Sequence, residues 1–264
     1  MKKFLALICA AILLSGCSAD NVQRIGTIKY LNVTETALAE NYKLNHADTN
    51  CEYVFFDNTN SLLAAFEAGQ INAVSTYESV ANFISQLNPN VVRQKTEWTD
   101  AFCCAMRQED AALKKEFDAA ILEMENDGTL AHLVKSYIYD FTHNATPQIV
   151  DMPVFYNDTM VKVAVTGDLP LLDYIYPDGR PAGFNTAVLA EISKRIGKNF
   201  ILVQVDSGAR AAALSSGKVD VIFWAIVPND KKMPKDMDKP DGVILTVPYF
   251  SDKIVHVRLQ DKKD

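Results

Sequence analysis

The chain has 264 residues, 48% of them apolar, and a formal net charge of −7 at pH 7. That apolar fraction belongs to a folded protein and excludes general disorder, and the length suits one large domain or two lobes of ordinary size. The negative charge argues against a nucleic-acid face and against a polybasic grip on anionic lipid.

Lys2 and Lys3 open the chain, and an unbroken apolar or small-residue run follows from Phe4 to Leu14. A charged start before an apolar run too short to span a bilayer is the pattern of a secretory signal over 1–16. The next residues, Leu14-Ser15-Gly16-Cys17, resemble the lipobox of bacterial lipoproteins. The resemblance implies cleavage before Cys17 and acylation, of the palmitate kind, at its thiol and new amine. Residues 17–264 would then be tethered by lipid at the cell envelope, on its periplasmic or extracellular face. No later stretch is long and apolar enough to cross a membrane.

Beyond the leader, strand and helix patterns alternate. Strands are expected at 24–30, 52–56, 71–75, 91–98 and 101–107, and helices at 34–44, 61–68 and 79–87. Asp57-Asn58-Thr59-Asn60 is a dense helix-start cluster, and Gly69 closes the helix it opens. Helices at 110–125 and 130–139 follow. The first carries Leu113, Phe117, Ile121 and Met124 at helical spacing. Residues 142–159 hold Pro147 and Pro153 without periodicity and read as an exposed connection. The grammar then restarts, with strands at 161–165, 200–205, 219–223, 243–249 and 253–259 and helices at 185–196 and 209–216. This alternation predicts an α/β fold with a mainly parallel sheet, in two successive lobes. The expected divisions are a lobe at 22–100, a hinge strand at 101–107, and a second lobe at 108–258. The second lobe takes in closing helices at 110–139 and the linker at 142–159.

Cys51, Cys103 and Cys104 remain after the leader and the proposed anchor are set aside. Three is no disulfide framework, although Cys51 could bridge to one of the pair; buried thiols are the simpler reading. His46, His132, His143 and His256 have no ligand-like spacing, so neither a metal nor another cofactor is expected.

Several segments together resemble the polar-amino-acid type of periplasmic solute-binding protein, a type II two-lobed fold. Gly183-Phe184-Asn185, Ala209-Arg210 through Gly217-Lys218-Val219-Asp220, and Pro248-Tyr249 are similar to that family's amino-terminal lobe. Asn58 through Leu62 and Gly69 through Val74 are similar to its second lobe, and Ala105-Met106-Arg107 with Asp127-Gly128-Thr129-Leu130 to its return strand and closing helices. In the family the lobe resembling 161–258 comes first, so the order here implies a circular permutation. Chain ends at a lobe junction are exposed and close in space, which makes such a rearrangement physically accessible.

Ligands of open α/β sheets sit beyond the carboxyl ends of strands, at helix starts, and in a two-lobed fold those ends share a cleft. The candidate ligand residues are therefore Tyr30, Asp57, Thr76, Tyr77, Asp168, Leu172, Arg210 and Trp224. Leu172 stands where the resemblance implies a stacking aromatic. Asp168 either meets a donor or caps its own turn. Trp224 is either a stacking platform or core. Arg210 either binds an anion or braces the hinge. Tyr77 occupies the position implied for an ammonium-binding Asp, with Glu78 beside it, and Asp230 the position implied for a carboxylate-binding Arg. The ligand is accordingly expected not to be an ordinary α-amino acid.

The leading expectation is a lipid-anchored, monomeric solute-binding protein, not an enzyme, delivering a small molecule to an ABC permease. The alternatives are an extracytoplasmic sensor or adhesin, or an enzyme of the dehydratase or lytic-transglycosylase kind. Enzymes need placed acids and bases, and no His falls on an expected cleft loop.

Overall fold

A computed structural model of the chain describes residues 22–45, 50–140, 146–156, 159–169, 171–229 and 234–260. The expected leader, Cys17 and Asp230 lie outside these residues.

The first part of the chain runs β1 (Gln23–Ile28), α1 (Glu35–Asn45), β2 (Cys51–Phe56), α2 (Thr59–Glu67), β3 (Ala73–Tyr77) and α3 (Glu78–Leu87). Asn58 starts α2 by accepting the Ser61 N–H at 2.9 Å, and Leu62, Ala65 and Phe66 turn its apolar face to the sheet. Then comes β4 (Val91–Arg107), followed by α4 (Ala111–Asn126) and α5 (Thr129–Val134). Phe117, Ala120, Ile121 and Met124 are the buried stripe of α4, at the i, i+3, i+4, i+7 spacing of one helix face. The α/β grammar resumes with β5 (Met160–Val165), β6 (Asp168–Leu169), β7 (Asp173–Ile175), β8 (Pro181–Ala182), α6 (Phe184–Ile196), β9 (Asn199–Gln204), α7 (Arg210–Ser215), β10 (Val221–Pro228), β11 (Val243–Leu245) and β12 (Phe250–Leu259).

One nine-stranded sheet holds the molecule together, in the order β2-β1-β3-β12-β4-β10-β5-β9, with β11 also paired to β4. Strands β1, β2 and β3 are parallel, as are β10, β5 and β9. Between these groups the pairing is antiparallel. The fold is α/β, as expected, but the sheet is mixed, because two long strands pass between its halves.

The first of these is β4. The sequence suggested two strands, broken near Thr99-Asp100, yet 17 residues form one strand. Partners on both sides explain the continuity: Asp100 pairs with Pro228 of β10 and with Asp252 of β12, so no turn is needed there. The second is β12. Its residues Ile254–Val257 pair with β3, and Val255–Leu259 pair with the first residues of β4. Residues 254–258, expected within the second lobe, thus complete the sheet of the first. The expected strand at 243–249 is shorter, and that at 219–223 is longer. Cys51, Cys103 and Cys104 are free, buried thiols, and burial pushes Cys103 up to about 12.

Candidate functional site

The carboxyl ends of β1 and β3 meet the middle of β10. There Thr27, Tyr30, Ser75, Thr76, Tyr77, Leu169 and Trp224 surround a void of about 20 Å3. A second void of about 10 Å3 shares Tyr30, Ser75 and Ile254 with it and reaches Tyr53, Trp98 and Asp100. Each is about the volume of one water. A much larger groove, about 700 Å3, opens between α2, α3 and the 167–179 segment. Phe66, Phe83, Ile84, Tyr174 and Tyr176 give it an apolar wall, with Asp168 and Gln204 at its polar end. Its size is that of a small-molecule pocket.

Four expected residues, Tyr30, Thr76, Tyr77 and Trp224, meet at the first void. Thr76 and Tyr77 lie on β3 and Trp224 within β10, not on the loops beyond these strands. The Trp224 ring is engaged by protein: Phe102 stacks at 5.3 Å, Tyr77 meets it edge-on at 5.6 Å, and the Arg210 guanidinium lies 5.0 Å from its centre. Its indole N–H has no hydrogen-bond partner.

Asp168 crosses from one half to the other. Its Oδ2 accepts the Thr59 N–H at the start of α2 at 2.5 Å, and burial raises its carboxyl above the ordinary range. It therefore caps a helix of the facing half and lines the large groove, whereas a cap of its own turn was the expected alternative to ligand contact. Asp168 also bonds the Thr166 side chain in its own turn, and Asp173 holds the same turn through Oδ2, which accepts from the Thr166 N–H and hydroxyl.

Arg210 is fully buried. Its guanidinium donates to the carbonyls of Ser207, Trp224 and Lys29. Of the two expected roles, bracing is the one the geometry supports, through carbonyls and not an ion pair. The Lys29 carbonyl belongs to the facing half, so the brace spans both. Leu172 is fully buried in the main core and lines none of these cavities. The chain there turns inward, since the Leu171 and Leu172 carbonyls accept from the first amides of α6. Asp57 is exposed, and its contact across the halves is through its backbone carbonyl, which accepts the Ser207 N–H at 2.9 Å.

Three carboxylates escaped the sequence reading. Asp100, 2% exposed, faces the second void, and the Tyr77 hydroxyl lies 3.5 Å from its Oδ2. Burial, reinforced by Asp238, pushes its carboxyl up to about 7. Asp238 accepts the Leu31 and Asn32 amides at 2.6 and 2.9 Å, tying the 234–241 segment to the loop after β1. Asp252 of β12 accepts the amide and hydroxyl of Ser79, capping α3. Asp238 sits in a polar loop, and Asp100 and Asp252 in strands whose pairing partners lie far off in sequence. Only the polarity of Thr99-Asp100 within an apolar strand hinted at any of them.

Among the described residues no group of His, Cys, Asp and Glu is arranged to hold a metal, and no helix is long and apolar enough to cross a membrane. The site offers one buried guanidinium bonded to three carbonyls, several buried carboxylates and an aromatic wall, which is equipment for holding a molecule.

Residues 161–263 match the model of the bacterial extracellular solute-binding proteins, family 3. A probable histidine-binding protein of Campylobacter jejuni is 29% identical over 84 residues, 32% of this chain and 30% of that protein. Among solved structures, a zinc-bound ligand-binding component of an ABC-type import system from Staphylococcus aureus is 14% identical, with a TM-score of 0.45 over 90% of this chain and 66% of its own. The GluR0 ligand-binding core in complex with L-glutamate is 10% identical, with a TM-score of 0.43 over 93% of this chain and 87% of that one. The chain thus spans under a third of the curated relative, and its likeness to the bacterial extracellular solute-binding proteins, family 3, lies in residues 161–263.

Proposed function

We propose that the protein is a lipid-anchored solute-binding protein of the cell envelope that hands a small molecule to an ABC permease, and that the ligand lies between the two halves of the sheet. The observation that carries this reading is the family match over 161–263 together with a ligand-sized groove walled by both halves. Contacts that cross between the halves, at Asp168–Thr59, Ser207–Asp57, Arg210–Lys29 and Asp238–Leu31, support a closure device. A ligand that touches both sides stabilises the closed form, because only differential contact shifts such an equilibrium. The permuted order of lobes, with a division near 100 and another near 108, belongs to the same proposal. All three nitrogens of Arg210 already donate to carbonyls, which supports a ligand other than an ordinary α-amino acid.

Thermal-shift screening of the purified protein against a metabolite library tests the binding function. A ligand at 100 times its Kd should stabilise by about 2.7 kcal/mol, a shift of several degrees. Asp168→Asn should reduce that shift, and a library with no stabilising compound would remove the reading. Anchoring is tested separately: Cys17→Ala should move the mature protein from the membrane to the soluble fraction, and unchanged partition would remove the lipid anchor while leaving ligand binding intact.

A further inference from the structure

We propose that the void bounded by Tyr30, Ser75, Trp98 and Asp100 receives the ammonium head of an organic cation that carries a neighbouring neutral oxygen. The proposal rests on the solute-binding reading and deepens it by naming the ligand class.

The carboxyl of Asp100 is buried and faces the void, and among the described residues it takes part in no ion pair; its hydrogen bond is the long one from Tyr77. An isolated buried carboxylate is costly unless a cation or several donors meet it. The nearby charges make the deficit worse. Asp238 and Asp252 add to the negative field at Asp100, while the charge of Arg210 bears on Asp238. A cation is what this field attracts. The two voids hold about 20 and 10 Å3, each the volume of one water and so of a primary ammonium, not of a whole metabolite. The walls are rings, from Tyr30, Tyr53, Tyr77 and Trp98, and aromatic faces stabilise ammonium groups when water is excluded.

The indole N–H groups of Trp98 and Trp224 are buried without partners. Both residues line the voids. An oxygen on the ligand, close to its ammonium, would satisfy them and remove the penalty of leaving buried donors unmet. At pH 7 a carboxyl held near that pH gives up its proton to solvent as the ammonium enters, so binding strengthens as pH rises from 6 to 8.

Calorimetry on the purified protein at pH 8 tests this with two isosteric pairs: ethanolammonium against ethylene glycol, and choline against 3,3-dimethylbutan-1-ol. In at least one pair the cation should bind tenfold or more tighter than its neutral partner. Asp100→Asn, of the same shape, should bring that ratio close to one. Trp98→Phe keeps a ring face and removes the N–H; it should weaken the hydroxylated cation severalfold more than ethylammonium. Equal or tighter binding of the neutral member in both pairs overturns the proposal, and this comparison needs only the wild-type protein. A cation preference that survives in folded Asp100→Asn overturns it as well. If the metabolite library stabilises the protein only through neutral or anionic compounds, the cation falls and the solute-binding reading stands; if nothing in the library binds, both fall.

Discussion

A guanidinium whose hydrogen bonds go to carbonyls, with Asp238 acting on it through its field, must be justified by what those bonds satisfy. Arg210 meets three carbonyls, one on its own turn, one in β10 and one beyond β1, and it lies against the Trp224 ring. Truncation leaves those carbonyls in a dry interior with a side-chain-sized hole beside them. Arg210→Ala should therefore cost about 3–5 kcal/mol, and urea unfolding should show a lower midpoint at unchanged slope. Asp100 and Asp173 set a different expectation. Their carboxyls are held up at about 7 and about 6, chiefly by burial. In the unfolded chain both ionise near the ordinary carboxylate range, so their contribution to stability is complete below that range and is lost as pH rises through 6 and 7. The melting temperature should fall between pH 5 and pH 8, and Asp100→Asn should flatten part of the fall in calorimetric scans at pH 5, 6, 7 and 8. Of the expected residues, Tyr30, Thr76, Tyr77 and Trp224 come together at one void, though the last three lie on strands and not on the loops beyond them. Leu172, expected at the cleft, is buried in the main core, a difference that an apolar loop does not display in sequence. Asp100 was missed because its neighbours come from β10 and β12, more than a hundred residues away.

At the scale of elements, the helices and most strands were readable from period, cap and stop signals, with bounds that moved by up to five residues, whereas the short strands β6, β7 and β8 were not expected. Pairing was not readable. Two strand signals around Thr99-Asp100 became one strand, since continuity there depends on hydrogen-bond partners and not on local preference. Packing between elements also explains one glycine. Gly26 is in β1 facing α2, and an added Cβ would sit 2.7 Å from Leu62 Cδ1 and closer still to Ile71 Cδ1. The side chains that would have to yield belong to the cluster of Leu62, Phe66, Ile71 and Val74. Gly26→Ala should destabilise by about 1–3 kcal/mol through overpacking. Equilibrium unfolding checks it, and Ile71→Val in the same chain should recover part of the loss by making room.

At the scale of the whole molecule, the nine-stranded sheet takes its middle strands from distant parts of the sequence, β12, β4 and β10. Strand β3 is formed by residue 77, yet one of its two neighbours, β12, begins at Phe250. A ribosome adds about 5–20 residues each second, so about ten to thirty seconds separate the two during synthesis. Throughout that interval β3 presents an unpaired edge, the kind of surface that recruits other chains. The first three strands cannot be a finished unit when they emerge, and they can become one only after the last strand is delivered. A chain stopped after Leu245 should keep the helices of its second half but expose the amides of Ala73–Tyr77 to rapid hydrogen exchange and should aggregate at concentrations where the full chain stays dispersed. Such a chain is matched to export in an unfolded state, where waiting for the final strand costs nothing, and ill matched to folding as it is made.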